Sequence, residues 1–346
     1  MRTAFLVAAA TIALALPAAA QEEPKGAPAP SEIVAAAPKS DWVAIAPEDL
    51  LVMTLAPDAD GKPRTVVIQL MPAPFSQGWV HNIRLFARAK WYDGISVNRV
   101  QDNYVTQWGD PNYDNPEAAG KPKPLPEGPK VMGEAEYTAS LEEWQNRNAE
   151  RDRARRDNEA AGLVLRPAET NPYPAWQSTD TYANNVNFYH GWPVATIWRN
   201  SFPQMWWPTH CYGMVGVGRN YSPDTGSGAE LYTVIGHAPR HLDRNIALVG
   251  RVIEGMEHLS SLPRGKGALG FYTAEEAAKR TPILSVRVAS DLAPAEQPAF
   301  EYLSTESATF ATYAEAIANR RDPFFIVPAG GADVCNIRVP VRRVAP

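Results

Sequence analysis

Between Leu50 and Ala289 the chain sets its apolar residues in eight short runs, at 50–55, 65–71, 96–100, 104–107, 211–216, 230–235, 246–252 and 283–289. None is long enough for an ordinary helix of three to four turns, and Gly, Pro, Asn and Asp punctuate the gaps between them. Such runs become strands. The pattern predicts a mainly β fold, a barrel or a sandwich with insertions, because many short strands must pair laterally to bury one face. One helix stands out after Ser76, a candidate N-cap, where Trp79, Val80, Ile83, Phe86 and Ala87 share a face at helical spacing. Further helices are expected near 254–262, at 301–321, and after Thr273, with Glu276 completing a capping pair. Residues 324–341 read as extended.

From 111 to 208 the character changes. Of 346 residues 32 are proline and 10 are tryptophan, and Trp176, Trp192, Trp198, Trp206 and Trp207 all fall in this stretch. It reads as a large irregular and helical insertion into the β domain. A charged helix is expected from Ser140 to Ala161, opened by a Ser140–Glu143 capping box. The tryptophans either pin this excursion to the core or form an aromatic recognition surface.

The first residues carry an address. Arg2, an apolar run to Leu16, Pro17 and three alanines before Gln21 form the pattern of a secretory signal at 1–20. No later apolar run approaches the roughly 20 residues of a membrane helix. Residues 21–41, rich in Pro, Ala and Glu, read as a flexible leader. The expected location is therefore the periplasm or the exterior, without stable membrane insertion after cleavage. Cys211 and Cys335 are the only cysteines, so that compartment permits one disulfide, provided the fold brings them within reach.

Charge and motifs narrow the function. With 33 Lys and Arg against 38 Asp and Glu the net charge is -5, which offers no basic field for a nucleic acid backbone. The six histidines lack metal-ligand spacing, no phosphate loop or nucleophile elbow is present, and no carboxylate pair is nominated by spacing. Neither a metal nor an organic cofactor is expected.

The run Tyr92-Asp93-Gly94-Ile95-Ser96-Val97-Asn98-Arg99-Val100 continues through Tyr104-Val105-Thr106-Gln107-Trp108-Gly109-Asp110-Pro111. It resembles, without gaps, the signature of the cyclophilin family of peptidyl-prolyl cis-trans isomerases. A second block ending in Val249-Gly250-Arg251-Val252-Ile253-Glu254-Gly255-Met256 is similar to the region that closes that family's barrel, and residues 73–88 are similar to its first helix. The resemblance implies a closed antiparallel β-barrel of about eight strands, capped by helices. It places a cyclophilin-like domain at 42–291, interrupted by the insertion at 111–208 and followed by a C-terminal extension at 292–346.

The resemblance also implies site residues. Arg99 falls on the catalytic arginine and Gln107 on the glutamine that positions the substrate. Tyr104, Val105, Tyr232 and Leu242 fall on the proline pocket, Tyr232 where the family has Phe. Glu230 takes a Gln position and His241 the usual Trp. Three departures bear on the groove: Asn98 replaces a histidine, Gly216 an asparagine whose backbone meets the substrate, and Ile246 a pocket histidine. The implied function is isomerisation of X–Pro bonds in exported polypeptides. The alternative is a catalytically weak chaperone or protein-binding module that uses the tryptophan-rich insertion.

Overall fold

The structure, a computed structural model, describes residues 26–113, 118–140, 142–143, 146, 149, 180–199 and 202–344. The proposed signal at 1–20, Trp176 and most of the charged helix at 140–161 lie outside these residues. Only the opening of that helix is described: the Ser140 amide donates to Glu143 Oε2 at 2.6 Å and the Glu143 amide to Ser140 Oγ at 3.3 Å.

In chain order the strands are β1 (Trp42–Ala44), β2 (Leu50–Leu55), β3 (Arg64–Leu70), β4 (Ser96–Val100), β5 (Val105–Gly109), β6 (Ala139–Ser140), β7 (Asn185–Tyr189), β8 (Trp192–Arg199), β9 (Phe202–Pro208), β10 (Met214–Val217), β11 (Leu231–Val234), β12 (Leu248–Glu254), β13 (Ile283–Val288), β14 (Phe300–Leu303) and β15 (Val341–Arg343). Eight of them form one antiparallel sheet in the order β13-β2-β3-β12-β10-β11-β5-β4. Its ends meet: the Gly94 amide donates to Ile283 O, the Ile283 amide to Ile95 O and the Val97 amide to Thr281 O, all within 2.9 Å. The expected eight-stranded barrel is therefore present, and the eight runs named above supply its strands.

The helix Gln77–Arg88 closes one end of the barrel. Its predicted face is the one that is buried, with Trp79, Val80, Ile83, Phe86 and Ala87 in the main core. Each large apolar side chain placed there contributes about 1.5–3 kcal/mol. Ser76 departs from expectation. It precedes the helix but has φ 54° and makes no capping hydrogen bond through its side chain, so the helix entry is set by the turn instead.

In its described residues the insertion is irregular at 111–113 and 118–133, as expected, but it also carries strands that the sequence did not signal. It builds a four-stranded antiparallel sheet, β6-β9-β8-β7. Trp192, Trp206 and Trp207 are fully buried, and Trp206 packs edge-on against Phe75 and Tyr189, while Trp198 is partly exposed. Pinning to the core is thus the role of the three buried rings.

The ends of the chain also depart from expectation. The leader contains a helix, Pro30–Ala35, whose Ile33 and Val34 pack against a second core with Phe310 and Ala314. Residues 301–321 divide into β14 and the helix Ala308–Ala318, because Ser304 and Ser307 break the run and Ser307 caps the helix through the Phe310 amide. Residues 324–341 are mostly loop, with a 3-10 turn at Val334–Asn336. β14 pairs with both β1 and β15, so the strand that follows the leader and the C-terminal extension share one small sheet. Cys211, just before β10, is disulfide-bonded to Cys335 of that extension.

Candidate active site

Register places the candidate residues. Arg99 pairs with Gln107 across β4 and β5, Gln107 with Tyr232 across β5 and β11, and Tyr232 with Gly216 across β11 and β10. Directly paired residues point to the same face of a sheet, so these four form one row across four strands. Val105 and Val234 form a second pair on that face, two residues away along each strand.

Arg99, Gln107, Tyr104, Val105, Glu230, Tyr232 and Leu242 all line one cavity of about 420 Å³. Its apolar floor is a separate small cluster of Val105, Tyr232 and Val234 with Tyr104, Leu242 and Ile246 packed against it. His241 lies outside the lining and stacks on Tyr104, with ring centroids 6.3 Å apart and planes 9° from parallel.

The Arg99 guanidinium is held at three points. Nε donates to Leu269 O at 2.6 Å, Nη1 to Gln107 Oε1 at 3.1 Å and Nη2 to Gln101 Oε1. Guanidinium carries five N–H groups in a planar fork, so these bonds fix its plane and leave donors for a ligand. Its carbon lies 5.6 Å from the Tyr104 ring centre and 5.4 Å from that of Phe271. Burial pulls the Arg99 pKa below its ordinary value, against the opposing influence of Tyr104 and Tyr232. Arginine remains charged regardless. Burial likewise raises the Tyr104 hydroxyl, and raises Tyr232 much further. Both phenols are therefore neutral hydrogen-bonding groups at neutral pH.

The three departures have different consequences. Asn98 does not reach the cavity. It is the extra residue of a bulge between Val97 and Arg99, buried, accepting from Ser96 Oγ at 2.7 Å and donating to Gly109 O at 3.0 Å. Ile246 does line the cavity and makes it more apolar. Gly216, which replaces the family's asparagine whose backbone meets the substrate, is absent from the lining, where Gly218 and Arg219 appear instead. The reason is the register: Tyr232 lies directly opposite Gly216 and covers it.

A Cβ on Gly216 would stand 2.3 Å from Tyr232 Oη and 2.4 Å from Cζ. The ring cannot flex away as an aliphatic chain could. Gly216→Ala is therefore expected to destabilise the fold by about 1–3 kcal/mol, the usual cost of overpacking. It should also lower turnover by displacing Tyr232. Urea denaturation of the purified variant checks the first effect, and an unchanged midpoint would contradict it.

Sequence reasoning missed several lining residues: Tyr113, Arg219, Tyr221, Leu269 and Phe271. They lie on loops or at a single bridge, such as that between Arg99 and Phe271, where no periodic signal exists. It also missed His210, which is fully buried. Among the described residues no group of three or more His, Cys, Asp or Glu is arranged to hold a metal, and no helix is long and apolar enough to cross a membrane.

Comparison with known proteins agrees with this geometry. Residues 65–288, more than half of the chain, match the family model described as cyclophilin type peptidyl-prolyl cis-trans isomerase/CLD. Among solved structures the chain is similar to the cyclophilin AquaCyp293 from Hirschia baltica, at 20% identity and a TM-score of 0.58, covering 88% of this chain and 94% of that one. That likeness concerns the fold, and its coverage exceeds the span of the family model. A cyclophilin type peptidyl-prolyl cis-trans isomerase from Cryptosporidium parvum aligns at 9% identity and a TM-score of 0.34, over 69% of this chain and 96% of that one, too low to carry an argument. No curated protein matches. Signature, barrel, site and family model thus agree: the chain belongs to the cyclophilin-type peptidyl-prolyl cis-trans isomerase family.

Proposed function

We propose that this chain isomerises X–Pro bonds of exported polypeptides in the 420 Å³ cavity, with Arg99 as the catalytic residue. The observation that carries the reading is the row of Arg99, Gln107 and Tyr232 beside an apolar floor. Rotation about the prolyl amide crosses a barrier of ~18–20 kcal/mol because resonance is lost. In the twisted state the prolyl nitrogen becomes pyramidal and its lone pair can accept a hydrogen bond, which neither planar ground state allows. A fixed, charged donor aimed at that nitrogen binds the twisted state preferentially, and differential binding is what lowers the barrier.

The remaining residues hold the substrate. Gln107 Oε1 accepts from Arg99, which leaves its amide nitrogen to donate to the carbonyl next to the proline. Tyr104, Val105, Tyr232, Leu242 and Ile246 bury the ring and exclude water, which strengthens the arginine's field. No covalent intermediate is involved. Glu230 and Arg219 border the cavity where residues flanking the proline would lie.

A protease-coupled assay on an Ala-Pro-Phe peptide tests this reading. The expected result is isomerisation faster than in buffer, and a rate equal to buffer contradicts it. The address is tested separately. Protein recovered from the periplasm or medium of an expressing bacterium should begin at Gln21 by mass spectrometry, whereas a chain still carrying Met1 would contradict export with cleavage.

A further inference from the structure

The phenol at the floor of the proline slot is tied into a buried polar chain that the proposed mechanism does not use. Tyr232 Oη lies 3.0 Å from His210 Nε2, and His210 Nδ1 lies 2.9 Å from Asp243 Oδ1. The His210 amide donates to the same oxygen at 2.9 Å. Asp243 Oδ2 accepts from Arg240 Nε at 2.6 Å and from Trp207 Nε1 at 3.3 Å. Arg240 then forms a two-pronged pair with Asp180, at 2.7 and 3.2 Å. The side chains of His210, Asp243, Arg240 and Asp180 are all at most 3% exposed.

The partners assign direction. A carboxylate only accepts, so Asp243 takes a proton-bearing Nδ1, and in the tautomer protonated there alone Nε2 accepts from the Tyr232 hydroxyl. Burial pushes the Asp243 carboxyl up, but His210 and Arg240 outweigh it and keep the carboxyl below its ordinary value, so the acceptor stays ionised. A phenylalanine here would pack on the floor with nothing fixing its far end. The tyrosine is held at its tip, in the space that Gly216 leaves open.

Two links in this chain come from the insertion. Trp207 is the penultimate residue of β9 and Asp180 precedes β7, while His210 lies between β9 and the disulfide-bonded Cys211. Arg240 also sits in the 3-10 turn Arg240–Leu242, which carries the pocket residue Leu242. The insertion therefore holds the turn that supplies Leu242 directly, through Asp180, and reaches the tip of Tyr232 through Asp243 and His210.

We infer that His210 and Asp243 are positioning residues for isomerisation, and that the insertion braces the proline slot through the chain Asp180–Arg240–Asp243–His210–Tyr232. The inference rests on the isomerase reading above. It assigns the insertion a part in the barrel's own reaction, in place of a separate binding role.

The test is a double-mutant cycle on the purified full chain, with Tyr232→Phe, His210→Gln and the pair, reading kcat, KM and melting temperature on one Ala-Pro peptide. Each single change is expected to lower kcat roughly three- to tenfold, the scale of one buried hydrogen bond, with KM within about twofold of wild type. The pair should fall no further than the worse single, because both sever the same link. Wild-type kcat and KM with only a lower melting temperature would overturn the inference, since a merely structural chain behaves that way. Multiplicative losses in the pair would overturn it too. If His210→Gln does not fold, Asp180→Asn takes its place in the cycle with the same two outcomes. A wild type that is itself inactive overturns the isomerase reading and the brace together, whereas an active wild type with unaffected variants overturns the brace alone.

Discussion

Replacing Arg99 with alanine is expected to lower kcat/KM for an Ala-Pro peptide by about two to three orders of magnitude, the usual loss when a preorganised transition-state donor is removed. The fold should survive. Arg99 lies at a barrel edge, between β4 and the loop of Leu269, and its three hydrogen bonds go to Leu269, Gln107 and Gln101 rather than to the main core. Arg99→Lys should recover only part of the loss. An ammonium keeps the charge but cannot contact Leu269 O, Gln107 and the prolyl nitrogen from one rigid plane. Activity in Arg99→Ala close to wild type would assign the rate to the pocket alone.

The second large effect is on stability. The Cys211–Cys335 bond closes a loop with a sequence separation of 124 residues. Loop-closure entropy of that length corresponds to about 4–5 kcal/mol of stabilisation, an upper value because unfolded chains retain structure. Val334 and Ile337, on either side of Cys335, are buried in the second core with Trp42, Leu303 and Phe310. Cys335→Ser should therefore loosen the extension first and the leader strand with it. The measurement is a guanidinium unfolding curve for Cys335→Ser beside wild type, with and without reductant. Reduction should shift wild type towards the variant and leave the variant unmoved. Coincident wild-type curves under both conditions would contradict this account.

Much of the barrel was legible because its strands are short apolar runs set off by turn residues, several of them, such as β10 and β11, buried along their whole length. β2 and β4 fall where the sequence put them, and the other six lie within a few residues of expectation. Arg99 and Gln107 were legible for a different reason, a motif that fixes both their spacing and their strands. What escaped depends on contacts distant in sequence. The sheet of the insertion was hidden because its strands are crowded with Pro and Trp, which suggest loops until Trp206 and Trp207 find their partners. Leu269 enters the site through a backbone with φ 55°, and His210 through Asp243, thirty-three positions later in the chain. The motif shows Gly216 only as a departure from the family's asparagine. Only the β10–β11 register shows that it makes room for a phenol.

The central claim is that the row of Arg99, Gln107 and Tyr232 catalyses prolyl rotation. Exchange NMR on an Ala-Pro peptide with substoichiometric protein reads that rotation directly, without a coupling protease. Cis–trans exchange peaks are expected with wild type on a timescale far shorter than the tens of seconds of the free peptide, and should collapse with Arg99→Ala. Exchange with wild type as slow as in the peptide alone would contradict it.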